Sequence, residues 1–279
     1  MEWEHEGQLV PSHPNFQELN MDEKNIGKAY LAEALGTFLL VISIIGAATL
    51  YGGALAGAQT PLPNIVIPFV ALAHFLGLFI GIQTLGAISG GHFNPAVTIG
   101  LLSIKKIKAP HAILYIVAQV VGALLAAFFL ALVLNKQGQI VSFGAPRVAD
   151  GISIGSAIAL EALFVFILVW TIVATAVNPD GPKEWAPAAI ALSLALGVLI
   201  IGQWTGASLN PARAFGPDVA NALFGASGSD GFGPIKDFLL VYLIAPIAAG
   251  VLAATLYSFL YIKGEVLEEA PAPSEQSPL

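Results

Sequence analysis

The sequence predicts an all-α membrane protein in which six transmembrane helices and two re-entrant half-helices form two inverted repeats. Three observations predict it. Of the 279 residues, 56% are hydrophobic and only 10% charged, and the mean hydropathy is +0.80, far from the composition of a soluble domain. Six apolar windows, near 29–51, 65–88, 110–134, 152–177, 186–206 and 237–262, each meet the roughly 20 residues that cross a bilayer core as a helix. Asn-Pro-Ala occurs twice outside those windows, in SGGHFNPAVTIG (89–100) and TGASLNPARAFG (205–216). A soluble all-helical core would need polar faces on its outer helices, and these windows have almost none.

Residues 1–28 hold Glu2, Glu4, Glu6, Glu18, Asp22 and Glu23 and lack the basic start and short apolar core of a secretory signal peptide. They read as an acidic N-terminal segment, and the first apolar window stays as a span. A single membrane domain is expected over 29–263, with one repeat over about 29–134 and the other over about 152–263. The tail at 264–279, GEVLEEAPAPSEQSPL, is acidic and Pro-rich and reads as disordered. Six spans put both termini on one side. With the N-terminus inside, the inner segments hold Lys24, Lys28, Lys105, Lys106, Lys108, Lys183 and Lys263, against Lys136, Arg147, Lys236 and Arg213 outside. This excess predicts cytoplasmic termini.

The net charge of −7 comes mainly from the two ends, and no basic patch suggests nucleic acid. There is no Cys, hence no disulfide, thiolate nucleophile or sulfur metal site, and the five His show no paired spacing. No metal and no cofactor is expected.

EALGTFLLV (33–41) matches EALFVFILV (161–169) at six of nine positions, so the chain reads as two copies of one unit. The matching Glu33 and Glu161 are 128 residues apart, and Asn94 and Asn210 are 116 apart, a difference that a longer first connection accounts for. Each copy holds three spans, an odd number, so the second copy sits upside down relative to the first. The two Asn-Pro-Ala boxes then enter from opposite sides. Asn is a favoured N-cap, and Pro suits the first helical position. The residues that follow are apolar but too short or too interrupted to span. Both boxes therefore predict re-entrant half-helices that start at Asn94 and Asn210 and meet N-terminus to N-terminus near the midplane. Non-helical backbone at membrane depth survives only where protein buries it or water wets it, so the stretches before the boxes are expected to line a pore.

On these residues the chain resembles the aquaporin family, also called the major intrinsic proteins, over about residues 28–263. The resemblance implies a passive channel for water that excludes protons and ions, a homotetramer with one pore per protomer, and no catalysis. It places Asn94, Pro95, Ala96, Asn210, Pro211 and Ala212 at the pore centre, the two Asn donating to passing water. It places His74, Val198, Ala207 and Arg213 at the outer constriction, a quartet similar to the plant tonoplast type, with Val and Ala removing bulk from the ring. It makes Glu33 and Glu161 acceptors for the re-entrant backbone and His92 a further fastener of the first loop. Small neutral solutes such as ammonia, urea or peroxide are open as permeants.

Other markers diverge. Ala214 stands where glycerol-conducting members carry Asp, Leu243 after Tyr242 is a glycerol-like choice, and Asp218 fits neither pattern. A glycerol-type facilitator is therefore an alternative. So is an ion-coupled secondary transporter, since inverted repeats and broken helices also mark those folds. That reading needs several ionisable residues at the midplane, and Glu33 and Glu161 are the only candidates. An intramembrane enzyme would need a Ser/His or His/Glu constellation, which the spans lack.

Overall fold

The computed structural model describes residues 26–52 and 66–262. The expected N-terminal segment up to residue 25, most of the first connection and the expected tail at 264–279 lie outside the described residues. Six helices are long and apolar enough to cross a membrane: α1 (Ile26–Gly52), α2 (Val66–Ser89), α4 (Ala109–Val133), α6 (Ile154–Val177), α7 (Lys183–Thr205) and α9 (Ile235–Tyr261). Two shorter helices, α3 (Pro95–Ser103) and α8 (Pro211–Phe224), follow α2 and α7 at matching places. A short helix, α5 (Asn135–Ile140), begins the connection between the halves.

Local chemistry sets the ends of these elements. Both α2 and α7 stop at a left-handed glycine: Gly90 (φ 85°) and Gly206 (φ 75°) donate their N–H groups to Gly86 O at 2.8 Å and Gly202 O at 3.0 Å. Side chains resist this conformation, and glycine adopts it without steric cost. The chain restarts at Asn94 and Asn210, both extended (φ −157°), whose side-chain oxygens cap the half-helices, with Pro at the first turn. In α6 the Ser153 hydroxyl accepts from Ser156 N at 3.0 Å and does the same work.

Packing exchanges the two half-helices between repeats. The first, α3, lies against α9 of the second repeat, and α8 lies against α4 of the first. Small residues permit this approach. A Cβ on Gly100 would come within 2.9 Å of Gly250 O, and one on Gly216 within 2.6 Å of Ala123 O. Around this centre α1 packs on α2 and α4, α2 on α7, and α6 on α7 and α9. The outer faces keep Leu31, Leu72, Ile113, Leu125 and Leu252 exposed, as a bilayer solvent requires.

Candidate functional site

The two loops before the half-helices are buried irregular backbone, and unpaired N–H groups there would be costly. A carboxylate serves each loop. Glu33, on α1, accepts from Ser89 Oγ (2.7 Å) and His92 N (2.9 Å) through Oε1, and from Phe93 N (2.7 Å) and Gln119 Nε2 (2.7 Å) through Oε2. Glu161, on α6, accepts from Thr205 Oγ1 (2.7 Å) and Ser208 N (2.9 Å) through Oε1, and from Leu209 N (2.7 Å) through Oε2. Both Glu side chains are fully buried. The hydroxyls relay a further bond, since Ser89 Oγ accepts from Gly91 N and Thr205 Oγ1 from Ala207 N, each at 3.1 Å. A tyrosine closes each set: Tyr115 donates to Ser89 O at 2.8 Å and Tyr242 to Thr205 O at 2.7 Å.

At the centre the two loops interlock. Asn94 Nδ2 donates to Leu209 O at 2.8 Å, and Asn210 Nδ2 donates to Phe93 O at 2.9 Å. Their Oδ1 atoms cap the half-helices, Asn94 accepting from Ala96 N at 2.9 Å and Asn210 from Ala212 N at 3.0 Å. Phe93 (φ 47°) and Leu209 (φ 52°) are left-handed without being glycine. That conformation costs on the order of 1–3 kcal/mol per residue and persists where surrounding bonds over-determine it. Each of the two gives its N–H to a carboxylate and its carbonyl to the opposite Asn. An amide nitrogen carries two hydrogens, so one on each Asn remains for a guest.

Asn94 and Asn210 line one cavity together with Gly90, Gly91, His92 and Ser208, and Lys106, His74 and Arg213 also contribute to its wall. The remaining wall is apolar, including Leu40, Leu78, Phe93, Leu168 and Leu194. His74 Nδ1 lies 2.8 Å from Val70 O, and because a carbonyl only accepts, Nδ1 carries the proton. In the neutral ring Nε2 is then the acceptor, and this atom has no hydrogen-bond partner among the described residues. Arg213 Nη1 donates to Gly144 O at 3.0 Å, while its Nε is likewise unpartnered. Val198 and Ala207 are buried but are not among the residues lining this cavity. Pro95, Ala96, Pro211 and Ala212 form the buried first turns behind the two Asn. His92 has its Nδ1 3.1 Å from Thr98 Oγ1 and its ring 5.1 Å from that of Tyr115.

Sequence reasoning passed over several contributors. Ser89 and Thr205 stand five residues before their Asn, and Tyr115 and Tyr242 hold matching places in the third span of each repeat, so laying one repeat on the other would have exposed both pairs. Among the described residues, Gln119, Thr98 and the Arg147 cluster have no counterpart in the other repeat. Asp218, which fits no sequence pattern, is buried and pairs with Arg147, which also holds Asp230. The hydrogen bond from Arg147 keeps the Asp230 carboxyl below the usual carboxylate range.

Comparison with known proteins fits this geometry. The family model described as major intrinsic protein matches residues 20–257. Aquaporin AqpM of Methanothermobacter thermautotrophicus is 37% identical over 247 residues, covering 85% of this chain and 98% of the relative. Aquaporin TIP2-3 of Zea mays is 36% identical over 237 residues, covering 84% of this chain and 88% of the relative. Among solved structures, the X-ray structure of the aquaglyceroporin from Plasmodium falciparum matches with a TM-score of 0.69 and 25% identity, over 84% of this chain and 96% of that one. The chain belongs to the major intrinsic protein family, the aquaporins.

Proposed function

We propose that the chain forms a passive pore for water and small neutral solutes, ammonia, urea or peroxide among them, that excludes protons and ions. The observation that carries this is the pair of half-helices, each capped by an Asn that also donates to the other loop, lining one cavity with His74 and Arg213. Two helix N-termini aimed at one point present positive potential, and the remaining amide hydrogens of Asn94 and Asn210 turn the oxygen of a passing water inward. As in aquaporin-type pores generally, such an arrangement interrupts a proton wire and repels cations. Pro95, Ala96, Pro211 and Ala212 set that centre. His74, Val198, Ala207 and Arg213 form the outer constriction, with an acceptor, a cation and two small apolar walls. Glu33, Glu161 and His92 hold the loops. The relatives include plant proteins named for the TIP type, which this quartet resembles. The protein acts as a homotetramer in its membrane, each protomer with its own pore, and both termini are cytoplasmic.

Glycerol conduction is the second reading, favoured by Leu243 and by the likeness to an aquaglyceroporin. Ala214 speaks against it. Ion coupling is disfavoured because Glu33 and Glu161 already serve loop donors. The test is osmotic shrinkage of proteoliposomes with no ion gradient, at several temperatures. A passive pore gives fast water efflux with weak temperature dependence and no ion leak. Flux that appears only with an imposed ion gradient would point to a coupled transporter.

A further inference from the structure

The outer end of the second repeat carries a cluster that the pore reading does not use. Arg147 lies in the connection between α5 and α6, and each of its five N–H donors has an acceptor. Nη1 donates to Asp218 and to Pro146 O (2.7 Å), Nε to Asp230, and Nη2 to Asp230 Oδ1 (3.3 Å) and Gly231 O (3.1 Å). The Asp218 side chain is 1% exposed and that of Arg147 26%, so this is no solvated surface pair. Asn221 Nδ2 holds Asp230 Oδ1 and Gly231 O from the same helix that carries Asp218, at 2.9 Å and 2.6 Å.

Arg213 is the opposite case. Its guanidinium has one hydrogen bond to the described residues, to Gly144 O, three positions before Arg147. The intervening chain is fastened on both sides. Pro146 sits so close to the turn at Gly206 that a Cβ there would come within 2.7 Å of it, and Ala149 N donates to Trp204 O at 2.9 Å. Arg213 and Asp218 share α8, so the contacts close a ring: Arg213 to Gly144, along the connection to Arg147, across to Asp218, and back along the helix.

We propose that Arg147 is a positioning residue for the permeation path: clasped by Asp218 and Asp230, it fixes the Gly144 carbonyl and thereby the direction in which Arg213 presents its guanidinium. The proposal rests on the pore reading. Without the clasp the connection can lift, Gly144 leaves, and a long side chain with no other acceptor among the described residues swings away from the cavity. Such a change admits larger neutral solutes more than it alters water flow.

The test uses proteoliposomes of the full chain and compares Arg147→Gln, Asp218→Asn and the double variant with the wild type, reading water and urea permeability on the same vesicles. The urea-to-water ratio is expected to rise severalfold in either single variant and no further in the double, while Arg147→Lys, which keeps the charge and loses the fork, recovers part of the original ratio. A merely structural role would leave fewer folded channels and lower both fluxes in proportion, with the ratio unchanged. That result, with wild-type flux intact, would overturn the proposal alone. If removal of the buried partner prevents folding, Asp230→Asn at the exposed end reads the same ratio, and an unchanged value there overturns the proposal. Absence of wild-type flux above empty vesicles would overturn the pore reading and this proposal with it.

Discussion

The loop that ends at Asn94 and the loop that ends at Asn210 follow matching paths yet are fastened from different places. In the first, Gln119 from α4 adds a fourth donor to Glu33 and also donates to Thr98 Oγ1 at 2.9 Å, while Thr98 donates to Asn94 O at 3.1 Å. In the second, Pro246 and Ala214 stand at the corresponding positions, and Glu161 is left with three donors. Its extra support comes from outside the bundle, where the connection through Gly144, Pro146, Arg147 and Ala149 leans on Arg213, Gly206, Asp218 and Trp204. Packing differs in the same complementary way. The bulky Phe93 lies over Gly36, and the smaller Leu209 belongs to the repeat that carries Phe164 in the matching position. One loop is locked by the core and the other by a surface connection, so the second can be adjusted at less risk to the fold.

The two loops differ most at their carboxylates. Glu33→Ala orphans four buried donors and Glu161→Ala three, at about 1–3 kcal/mol each where no water replaces the lost acceptor. Both variants are expected to lose several kcal/mol, on the scale of that per-donor cost, and Glu33→Ala the more. Thermal unfolding in detergent checks the order. A larger loss for Glu161→Ala would mean that the second loop depends on the core more than its bonds suggest.

Next is the exchange of bulk. A Cβ on Gly36 would meet the Phe93 ring at 2.0 Å, so Gly36→Ala is expected to cost about 1–3 kcal/mol through overpacking. Adding Phe93→Leu, which imitates the second repeat, should recover most of it. A double variant no better than Gly36→Ala in a thermal melt would sink the idea of compensating volumes.

Much of this was legible in the sequence, and the boundary of legibility has a physical cause. The six spans follow from hydropathy, and Glu33 and Glu161 stand out in a duplicated segment, because both signals are local or repeated; their role as fasteners comes from the family resemblance. Gln119 reaches Glu33 across 86 residues of chain and Arg147 reaches Asp230 across 83, with no repeated counterpart to mark either. Asp218 was the one visible clue: an acid in an apolar half-helix needs a cation, and Arg147 had served only to orient the chain.

At the proposed constriction a smaller effect is expected. Val198→Phe is expected to reduce urea flux several times more than water flux, because added bulk excludes the wider permeant first. Equal reductions, measured on the same vesicles, would remove Val198 from the constriction. The smallest effect concerns backbone strain. Ala207 is left-handed (φ 41°) where the first repeat has Gly91 (φ 64°). Left-handed geometry costs a non-glycine residue roughly 1–2 kcal/mol, and glycine's extra unfolded entropy costs about 0.4–1 kcal/mol. Ala207→Gly should therefore stabilise slightly, by about 1 kcal/mol or less. A clear loss of stability would show that the Ala207 methyl contributes packing that outweighs its strain.

The proposed passive pore is lined by two interlocked half-helices and has an outer ring wide enough for small neutral solutes. It is tested most directly by light scattering from proteoliposomes after a jump into urea, where one trace reports water leaving and then solute entering. Shrinkage much faster than in empty liposomes, followed by accelerated re-swelling, is the predicted result. Fast shrinkage with re-swelling no quicker than the empty control would contradict the wide ring at His74, Val198, Ala207 and Arg213, and shrinkage no faster than that control would contradict the pore itself.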